Sequence, residues 1–381
     1  MKIYISRPSI LSAAGDEKAL LKSISLNQTH IQKFSYLNQK FMVGKITQNL
    51  ENIPSKFNDW LQTRTNQIAF NVVLSLESEI QKAIKKFGRD RVGVVVGTTT
   101  SGVEENFKTL ENGNLDRAKF CVNKNALFNP AVFIKQMFNL QNVAYSISTA
   151  CTSGLKAINE GVNLIKSGIC KAVIVGGVDS LNTLTLFGFK SLSILSDDLI
   201  KPFGKDRNGT NLGEGGCFML LSCDEISDFV IKGFENNCDA FHITTPRKDG
   251  LFQTKIVLNL LKALEDQKVE YVNLHATGTL INDEMEAAVL NQTLSNTKSS
   301  GIKHIIGHTL GAAGAIETGI CIKFLENEEI LPFYDGYEID GSLDKFNLLS
   351  LPEKLKVNNA ISLSFAFGGD NAGILVGKSY V

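Results

Sequence analysis

Cys151 lies in the stretch SISTACTSGLKAI, where a half-apolar run ends in small residues and a helical pattern begins. A cysteine at the first turn of a helix faces outward-pointing backbone N–H groups, and the helix dipole there favours negative charge. Both effects lower the pKa of a thiol and make it a nucleophile. Most free cysteines are small buried core residues, so the rest of the chain must decide between catalysis and packing.

The histidines are few, 5 in the chain, and two of them lie in polar loops with other reactive groups. His275 follows a strand-like run, and the threonines at 277 and 279 alternate beyond it. His308 follows Lys303 by five positions. One nucleophile, two separated histidines and a nearby lysine suit acyl transfer through a thioester.

A metal site is not expected. His304 and His308 have the HxxxH spacing of zinc proteases, but isoleucine stands where the glutamate of HExxH is needed, and Gly307 weakens a helix. The chain has 7 cysteines, an odd number without a CxxC pair, which argues against a disulfide framework or a structural zinc site.

The elements around these residues alternate between strand and helix. The runs RVGVVVG, NVAYSIS and KAVIVGG predict buried strands, and apolar residues at helical spacing after Cys151 predict a helix that ends at KSG. The stretch ISLSFAFGGDNAGILVG predicts two strands joined by a glycine-rich turn. This alternation indicates a layered α/β protein, and the turn-rich segment 201–216 is the best candidate boundary between two halves.

Composition describes an ordinary globular protein, with 43% hydrophobic residues and 39 basic against 39 acidic residues. This balance gives no global signal for nucleic acid or an anionic membrane. No apolar run reaches the ~18–20 residues that span a bilayer, and the N-terminus lacks the apolar core of a signal peptide. We therefore expect a cytoplasmic protein.

Five segments together resemble the β-ketoacyl-acyl carrier protein synthases, condensing enzymes of the thiolase fold. In chain order they are TACTSG, KDRNGTNLGEGG, HATGTLINDEMEA, KHIIGHTLGAAGAIE and FAFGGDNAG. The resemblance runs from about residue 90 to the end of the chain. It implies two similar βαβαβ halves in five layers, α-β-α-β-α, with residues 1–216 carrying the nucleophile and residues 217–381 carrying both histidines.

The resemblance implies a decarboxylative Claisen condensation that yields 3-oxoacyl-acyl carrier protein. Cys151 would take the acyl group. His275 and His308 would bind the carbonyl of the malonyl thioester and promote loss of carbon dioxide. Lys303 would hold His308 and the local charge balance, and Glu317 would support that network.

Further roles concern the substrate arm and the entrance. Thr277 and Thr279 would bond the 4'-phosphopantetheine of the carrier protein, so no resident cofactor or metal is expected. Phe367 would gate access and would form the oxyanion hole with the backbone N–H of Cys151. Val103 would line the acyl pocket. The expected partners are acyl carrier protein and a second subunit, either an identical copy or a related chain.

The gate departs from the family pattern. Gly368 and Gly369 provide backbone freedom, but Ala366 stands where glycine is usual and Asp370 where threonine is usual. His304 also replaces a small hydroxyl residue. Basic residues for carrier docking are sought in the turn-rich segment, at Lys201, Lys205 and Arg207.

Other functions remain open on sequence alone. A degradative thiolase of the same fold needs a second catalytic cysteine near the C-terminus, where this chain has Phe367. A non-catalytic subunit that sets chain length would lack Cys151. A cysteine hydrolase pairing Cys151 with His275 would leave His308 and Lys303 unexplained. A ketosynthase subunit of a specialised heterodimeric system is the nearest alternative within the family.

Overall fold

The structure is a computed structural model that describes residues 1–109, 120–264 and 268–380. The strands are β1 (Ile3–Ile5), β2 (Ser9–Ser12), β3 (Gly15–Asp16), β4 (Gln32–Tyr36), β5 (Gln39–Gly44), β6 (Val92–Gly97), β7 (Ala144–Ile147), β8 (Ala172–Asp179), β9 (Leu212–Gly213), β10 (Gly215–Ser222), β11 (Phe229–Cys238), β12 (Tyr271–Asn273), β13 (Lys298–Ser300), β14 (Glu329–Ile330), β15 (Lys354–Leu355), β16 (Asn359–Phe365) and β17 (Asp370–Lys378).

The α-helices are α1 (Glu17–Ser25), α2 (Arg64–Leu74), α3 (Glu77–Phe87), α4 (Val103–Phe107), α5 (Val122–Asn125), α6 (Asn129–Met137), α7 (Ser153–Lys166), α8 (Thr183–Ser191), α9 (Leu251–Leu261), α10 (Leu280–Thr293), α11 (Lys303–Ile306) and α12 (Ala313–Glu326). Short 3-10 turns include Leu310–Ala312 and Phe367–Gly369. Among the described residues no helix is long and apolar enough to cross a membrane.

The two halves join in one 12-stranded sheet, whose main path runs β13-β12-β16-β17-β11-β1-β10-β8-β6-β7. The first half contributes β7, β6, β8, β10 and β1, and the second contributes β11, β17, β16, β12 and β13. The seam is the antiparallel pairing of β1 with β11, in which Ile3 faces Ile231.

Helices α7 and α12 contact each other and lie against strands of both halves. Helices α2, α3 and α6 cover the other face of the first half, and α9, with α10 packed on it, covers the other face of the second. The layers are therefore α-β-α-β-α, as expected, although the two β layers are hydrogen-bonded into one sheet rather than separate.

Strand β10 shows why this arrangement is stable. Alternate residues of a strand point to opposite faces; accordingly Cys217, Met219 and Leu221 join the core cluster around α7 and α12, while Phe218 and Leu220 join the cluster under α2. A strand covered on both faces is continuously apolar, which is the pattern that predicted β6 and β8 in the sequence. Strand β7, also predicted as buried, is only partly buried, because it forms the edge of the sheet. The predicted helix after Cys151 is α7, and the predicted strand pair near the C-terminus is β16 and β17.

The division of the halves at residue 216 needs correction. Gly215–Ser222 is a single strand that pairs with β8 along its whole length, so a boundary at 216 would cut it. The three glycines of 213–216 give the segment a turn-like composition, yet all three lie in strands of the first half. The second half begins with β11.

Candidate active site

Cys151 lies in the sharp turn between β7 and α7, two residues before the first helical residue. Ala150 has a positive φ of 53°, an uncommon conformation for a residue with a Cβ. Ser153 stabilises this turn, because its Oγ accepts from the N–H of Thr149 at 2.9 Å and donates to the carbonyl of Ala150 at 2.6 Å. The thiol is held beside the helix N-terminus and is almost fully buried.

His308 contacts the nucleophile directly, with its Nε2 3.0 Å from Cys151 Sγ. The N–H of Leu310 donates to His308 Nδ1 at 3.2 Å. A neutral imidazole that accepts at one nitrogen carries its proton on the other. His308 therefore presents an N–H donor, not a lone pair, toward the sulfur.

His275 is placed at right angles to His308, with ring centroids 5.4 Å apart. Its loop is fixed by the Glu286 carboxylate, which accepts from the N–H groups of His275 and Ala276 at 2.6 and 2.8 Å. Lys303 Nζ donates to His275 Nδ1 at 3.4 Å. Because a lysine ammonium can only donate, His275 Nδ1 accepts and the proton of this imidazole lies on Nε2, as in His308. Both histidines therefore direct Nε2–H groups into the cleft.

Lys303 forms a buried ion pair with Glu317. The histidine that Lys303 bonds is His275, whereas the family resemblance assigned Lys303 to His308. The cause is Gly307, whose φ of +79° turns the chain immediately after the short helix α11 and separates His308 from Lys303. Only the charge of Lys303 acts on His308, where it adds to burial in lowering the imidazole pKa.

The electrostatics keep both imidazoles neutral. Burial, followed by the charge of Lys303, holds the pKa of His275 and of His308 well below the usual value. Burial also raises the pKa of Glu317 to about 7 and that of Glu286 to about 8. Perturbed groups concentrated in one cleft are typical of an active site.

The thiol itself differs from the expectation. Burial raises the pKa of Cys151 to about 12, and Lys303 opposes this shift only in part. The position at the helix N-terminus does favour the thiolate, but loss of solvation is the larger effect in the closed cleft. At neutral pH Cys151 is therefore mainly a protonated thiol in this cleft.

Three potential metal ligands converge here, since Cys151, His275 and His308 have ligand atoms within 4.8 Å of one another. The hydrogen bonds to both Nδ1 atoms argue against a metal, because the nitrogens that face the sulfur carry protons. His304, the other half of the HxxxH pattern, faces away and bonds Asn27 Oδ1 at 2.9 Å.

The cleft around Cys151 includes Thr277, Thr279 and Phe367 in its lining. The two threonine hydroxyls lie 3.0 Å apart. Thr279 and Phe367 also line an adjoining outer cleft, which places them along the entrance. Val103 lines neither cleft, so the acyl-pocket assignment finds no support there; it starts helix α4 instead.

The Phe367 ring stacks on Phe189, with centroids 5.7 Å apart, and separates the inner cleft from the outer one. Gly368 and Gly369 both have positive φ, at 84° and 75°. A Cβ at Gly369 would lie 2.0 Å from Asp239 Oδ1, so only glycine fits this turn.

Asp179 is a structural contributor that the motifs did not reveal. Its buried carboxylate accepts hydrogen bonds from Thr98, Thr99 and Thr100, and from the N–H of Gly311 at 2.7 Å. Gly311 follows His308 by three positions, so Asp179 connects the first half to the loop 307–311 that carries His308 (the histidine loop). An acidic residue ending a wholly apolar strand was the available signal in the sequence.

Cys151 is the cleft's sole cysteine among the described residues. Cys321 and Cys217 are both fully buried in the core cluster around α7 and α12. The second cysteine required of a thiolase is thus missing from this cleft. His308, rather than His275, contacts the thiol, so the pairing proposed for a cysteine hydrolase is not the observed one.

Two family models match the chain in succession, the N-terminal domain of β-ketoacyl synthases over residues 53–225 and the C-terminal domain over residues 229–336. The chain belongs to the β-ketoacyl synthase family. As a β-ketoacyl synthase it is an acyltransferase that performs condensation, which confirms the predicted family, fold class and reaction.

Individual β-ketoacyl synthases resemble it over most of their length. A putative mitochondrial 3-oxoacyl-[acyl-carrier-protein] synthase of Schizosaccharomyces pombe is 30% identical over 75% of this chain and 74% of its own. The 3-oxoacyl-[acyl-carrier-protein] synthase 2 of Synechocystis sp. is 29% identical over 77% and 76%. A ketosynthase (ApeO) solved in complex with its chain length factor (ApeC), from Xenorhabdus doucetiae, is 31% identical, with a TM-score of 0.93 over 99% of this chain and 98% of that one.

Proposed function

We propose that this synthase condenses an acyl group on Cys151 with the malonyl group of an acyl carrier protein. The observation that carries the proposal is the pair of Nε2–H groups, from His275 and His308, directed at the buried thiol. Two neutral donors suit an oxyanion that forms during reaction, and the fixed tautomers give that role to these nitrogens.

In the first half-reaction, Cys151 Sγ attacks the carbonyl of an acyl thioester. The carbon–sulfur bond to the phosphopantetheine breaks, and the thiol proton passes to the departing sulfur. The backbone N–H groups of Cys151 and Phe367 stabilise the tetrahedral oxyanion, and Thr277 and Thr279 bond the pantetheine arm. The arm belongs to the substrate, so the chain requires no resident cofactor.

In the second half-reaction, the malonyl thioester loses carbon dioxide, and the electron pair of the broken C–C bond moves into an enolate. His275 and His308 hold its oxygen. The enolate carbon attacks the acyl carbonyl on Cys151, the C–S bond breaks, and the cysteine sulfur regains a proton. Lys303 and Glu317 keep His275 in the required tautomer.

The test is intact-mass analysis with a panel of acyl carrier proteins, together with carbon dioxide release from malonyl carrier protein. The parent should gain one acyl mass on Cys151, and Cys151→Ala should lose both the adduct and condensation. An adduct on another cysteine, or condensation by the alanine variant, would refute the assignment.

We further propose that the partner subunit is a related chain rather than an identical copy. The neighbour that supports this is the ketosynthase solved with its chain length factor. Strand β7 ends the sheet and pairs only with β6 in the described chain. Val143, directly before β7, is exposed, and so are four apolar residues shortly before α6, the helix that packs on β7, namely Phe120, Val122, Leu127 and Phe128.

An unpaired strand edge with apolar flanks favours association with another chain. The test expresses the chain alone and together with a related subunit encoded nearby, and measures mass by light scattering. A stable homodimer with full condensation activity, without gain from the second subunit, would contradict the heterodimer.

A further inference from the structure

Asp370 connects the gate to the nucleophile helix. It is the first residue of β17, directly after the gate turn, and its carbonyl accepts from the N–H of Ala366 at 2.7 Å. Its side chain reaches α7, where Oδ1 accepts from Thr152 Oγ1 at 3.0 Å and Oδ2 from Lys156 Nζ at 2.5 Å. One carboxylate thus bonds two residues that are one helical turn apart.

Lys156 makes the stronger of these bonds. Thr152 Oγ1 also lies 2.7 Å from the carbonyl of Thr149, and a hydroxyl has one proton, so it cannot donate to both acceptors at once. Both bonds end on the Asp370 carboxylate, but only Lys156 brings an opposite charge to it, so the lysine adds an ion pair to the hydrogen bond. The side chains of Lys156 and Asp370 keep 20% and 21% exposure, so salt can screen the pair.

The tip of the gate is held differently. The N–H of Gly368 donates to the carbonyl of Ile243 at 2.7 Å, and the N–H of Asp239 donates to that of Gly369 at 2.9 Å. No atom lies within 4 Å of where a Cβ of Gly368 would stand, which leaves space around the tip. The carbonyl of Gly369 also accepts from Asn371 Nδ2 at 2.9 Å. The tip is therefore held by hydrogen bonds alone, with free space at Gly368, whereas the C-terminal end of the gate also has an ion pair.

We propose that Lys156 and Asp370 form an ionic latch that fixes the C-terminal hinge of the gate to α7 and limits which acyl chains pass Phe367. Asp370 is accordingly a positioning residue that acts through the gate and not on the reacting atoms. The inference rests on the proposed gating role of Phe367 and on acylation of Cys151.

The latch selects by chain length for the following reason. A short acyl group needs only displacement of the Phe367 ring, whereas a long chain also requires the backbone at Asp370, the C-terminal hinge of the gate, to move away from α7. An ion pair of this exposure shifts an equilibrium by about two- to fivefold. Loosening the latch should therefore raise long-chain acylation by about that factor relative to short-chain acylation.

The experiment measures self-acylation of Cys151 with one short and one long acyl carrier protein. In parallel it measures alkylation of Cys151 by iodoacetamide, which reports thiol reactivity without acyl transfer. The variants are Asp370→Asn, Lys156→Met and the charge reversal Lys156→Asp with Asp370→Lys. Glu353→Gln is the matched control, because it breaks a comparably exposed ion pair with Lys298 away from the cleft.

The long-to-short ratio should rise in both single variants and return toward the parent value in the charge reversal. At about 1 M salt, where the screening length falls to ~3 Å, the parent ratio should move only part of the way toward that of Asp370→Asn, because the paired atoms are 2.5 Å apart and the side chains are mostly buried. Should Asp370→Asn fail to fold, Lys156→Met tests the latch from the helix side.

An unchanged ratio in Lys156→Met, or an equal rise in Glu353→Gln, would overturn the latch. Absence of any acylation in the parent, while iodoacetamide still modifies Cys151, would instead refute the proposed function. The two failures are therefore distinguishable.

Discussion

The N–H of Leu310 and the Nδ1 of His308 are 3.2 Å apart, and this hydrogen bond determines which side of the imidazole faces Cys151 as a donor. The tautomer follows from the 3-10 turn that starts at Leu310, so the loop conformation, and not a neighbouring carboxylate, prepares His308 for an enolate oxygen.

His308→Ala should therefore abolish one of two oxyanion donors, with a loss of about 10²–10³-fold in malonyl decarboxylation. His308→Asn retains an N–H donor at similar reach and should retain more activity than the alanine variant. Carbon dioxide release measures both, and self-acylation should survive in both. Equal losses in the two variants would mean that His308 does not act as an N–H donor.

The reactivity of Cys151 should depend on pH across the whole measurable range. Its pKa is raised to about 12, so the thiolate fraction grows about tenfold per pH unit far below that value. Iodoacetamide alkylation should rise without a plateau between about pH 7 and 9.5. A plateau near neutral pH would show that the helix N-terminus outweighs burial.

Decarboxylation should respond to pH in a different way. The pKa of each catalytic histidine is lowered well below its usual value, so both stay neutral as pH falls through the ordinary histidine range. Neither histidine should therefore cause an inflection near pH 6.5 in the rate for malonyl carrier protein. An inflection near pH 7 would instead reflect Glu317, whose pKa burial raises to about 7, and Glu317→Gln should remove it. Lys303→Met removes only the smaller cause of the low pKa values, because burial is the larger one, so the variant should still show no histidine inflection near pH 6.5. An inflection there would show that the Lys303 charge outweighs burial.

Asp179→Asn should affect decarboxylation more than acylation. The amide offers one acceptor oxygen where the carboxylate accepts from the Thr98–Thr100 segment and from Gly311 on the histidine loop. Leaving a buried donor unpaired costs about 1–3 kcal/mol. Chemical unfolding and carbon dioxide release test this, with Thr99→Val as a control that removes a single donor. Unchanged stability would show that the network is dispensable.

In the turn-rich segment 201–216, we expect Arg207 to contribute to stability and Lys205 to contribute to carrier docking. Arg207 is buried and bonds Asp340 at 2.6 Å, so Arg207→Ala should lower stability by about 1–3 kcal/mol.

Lys205 is exposed, three residues before Asn208 at the mouth of the outer cleft. Lys205→Ala should leave stability unchanged and weaken the salt dependence of carrier binding. Carrier affinity that is independent of salt in the parent would contradict electrostatic docking.

Local patterns predicted the strands and helices around the cleft, and the structure brings Cys151, His275 and His308 together there. The apolar run of β6, the helix after Cys151 and the motif around His308 are encoded by neighbours in the chain. Partners from distant segments were not predictable in this way. Lys156 and Asp370 are 214 positions apart, and no residue pattern in either segment predicts that the two side chains form an ion pair.

Two errors have a common physical cause in glycine. Gly307 turns the chain, so Lys303 bonds His275, although the family resemblance assigned it to His308. The glycines of 213–216 resemble a linker in composition, yet Gly215 and Gly216 lie inside β10 because close packing of strands excludes a Cβ there: one at Gly215 would lie 2.7 Å from the carbonyl oxygen of Leu11.

The position of β1 has a consequence for biosynthesis. Ile3–Ile5 lies between β10 and β11, so the residues that leave the ribosome early must wait for partners near Ser222 and Ile231. Contacts of such long range form slowly, since the intervening chain must be closed into a loop. We expect the nascent first half to keep an open sheet edge until β10 emerges, and to be a candidate for chaperone binding during that interval.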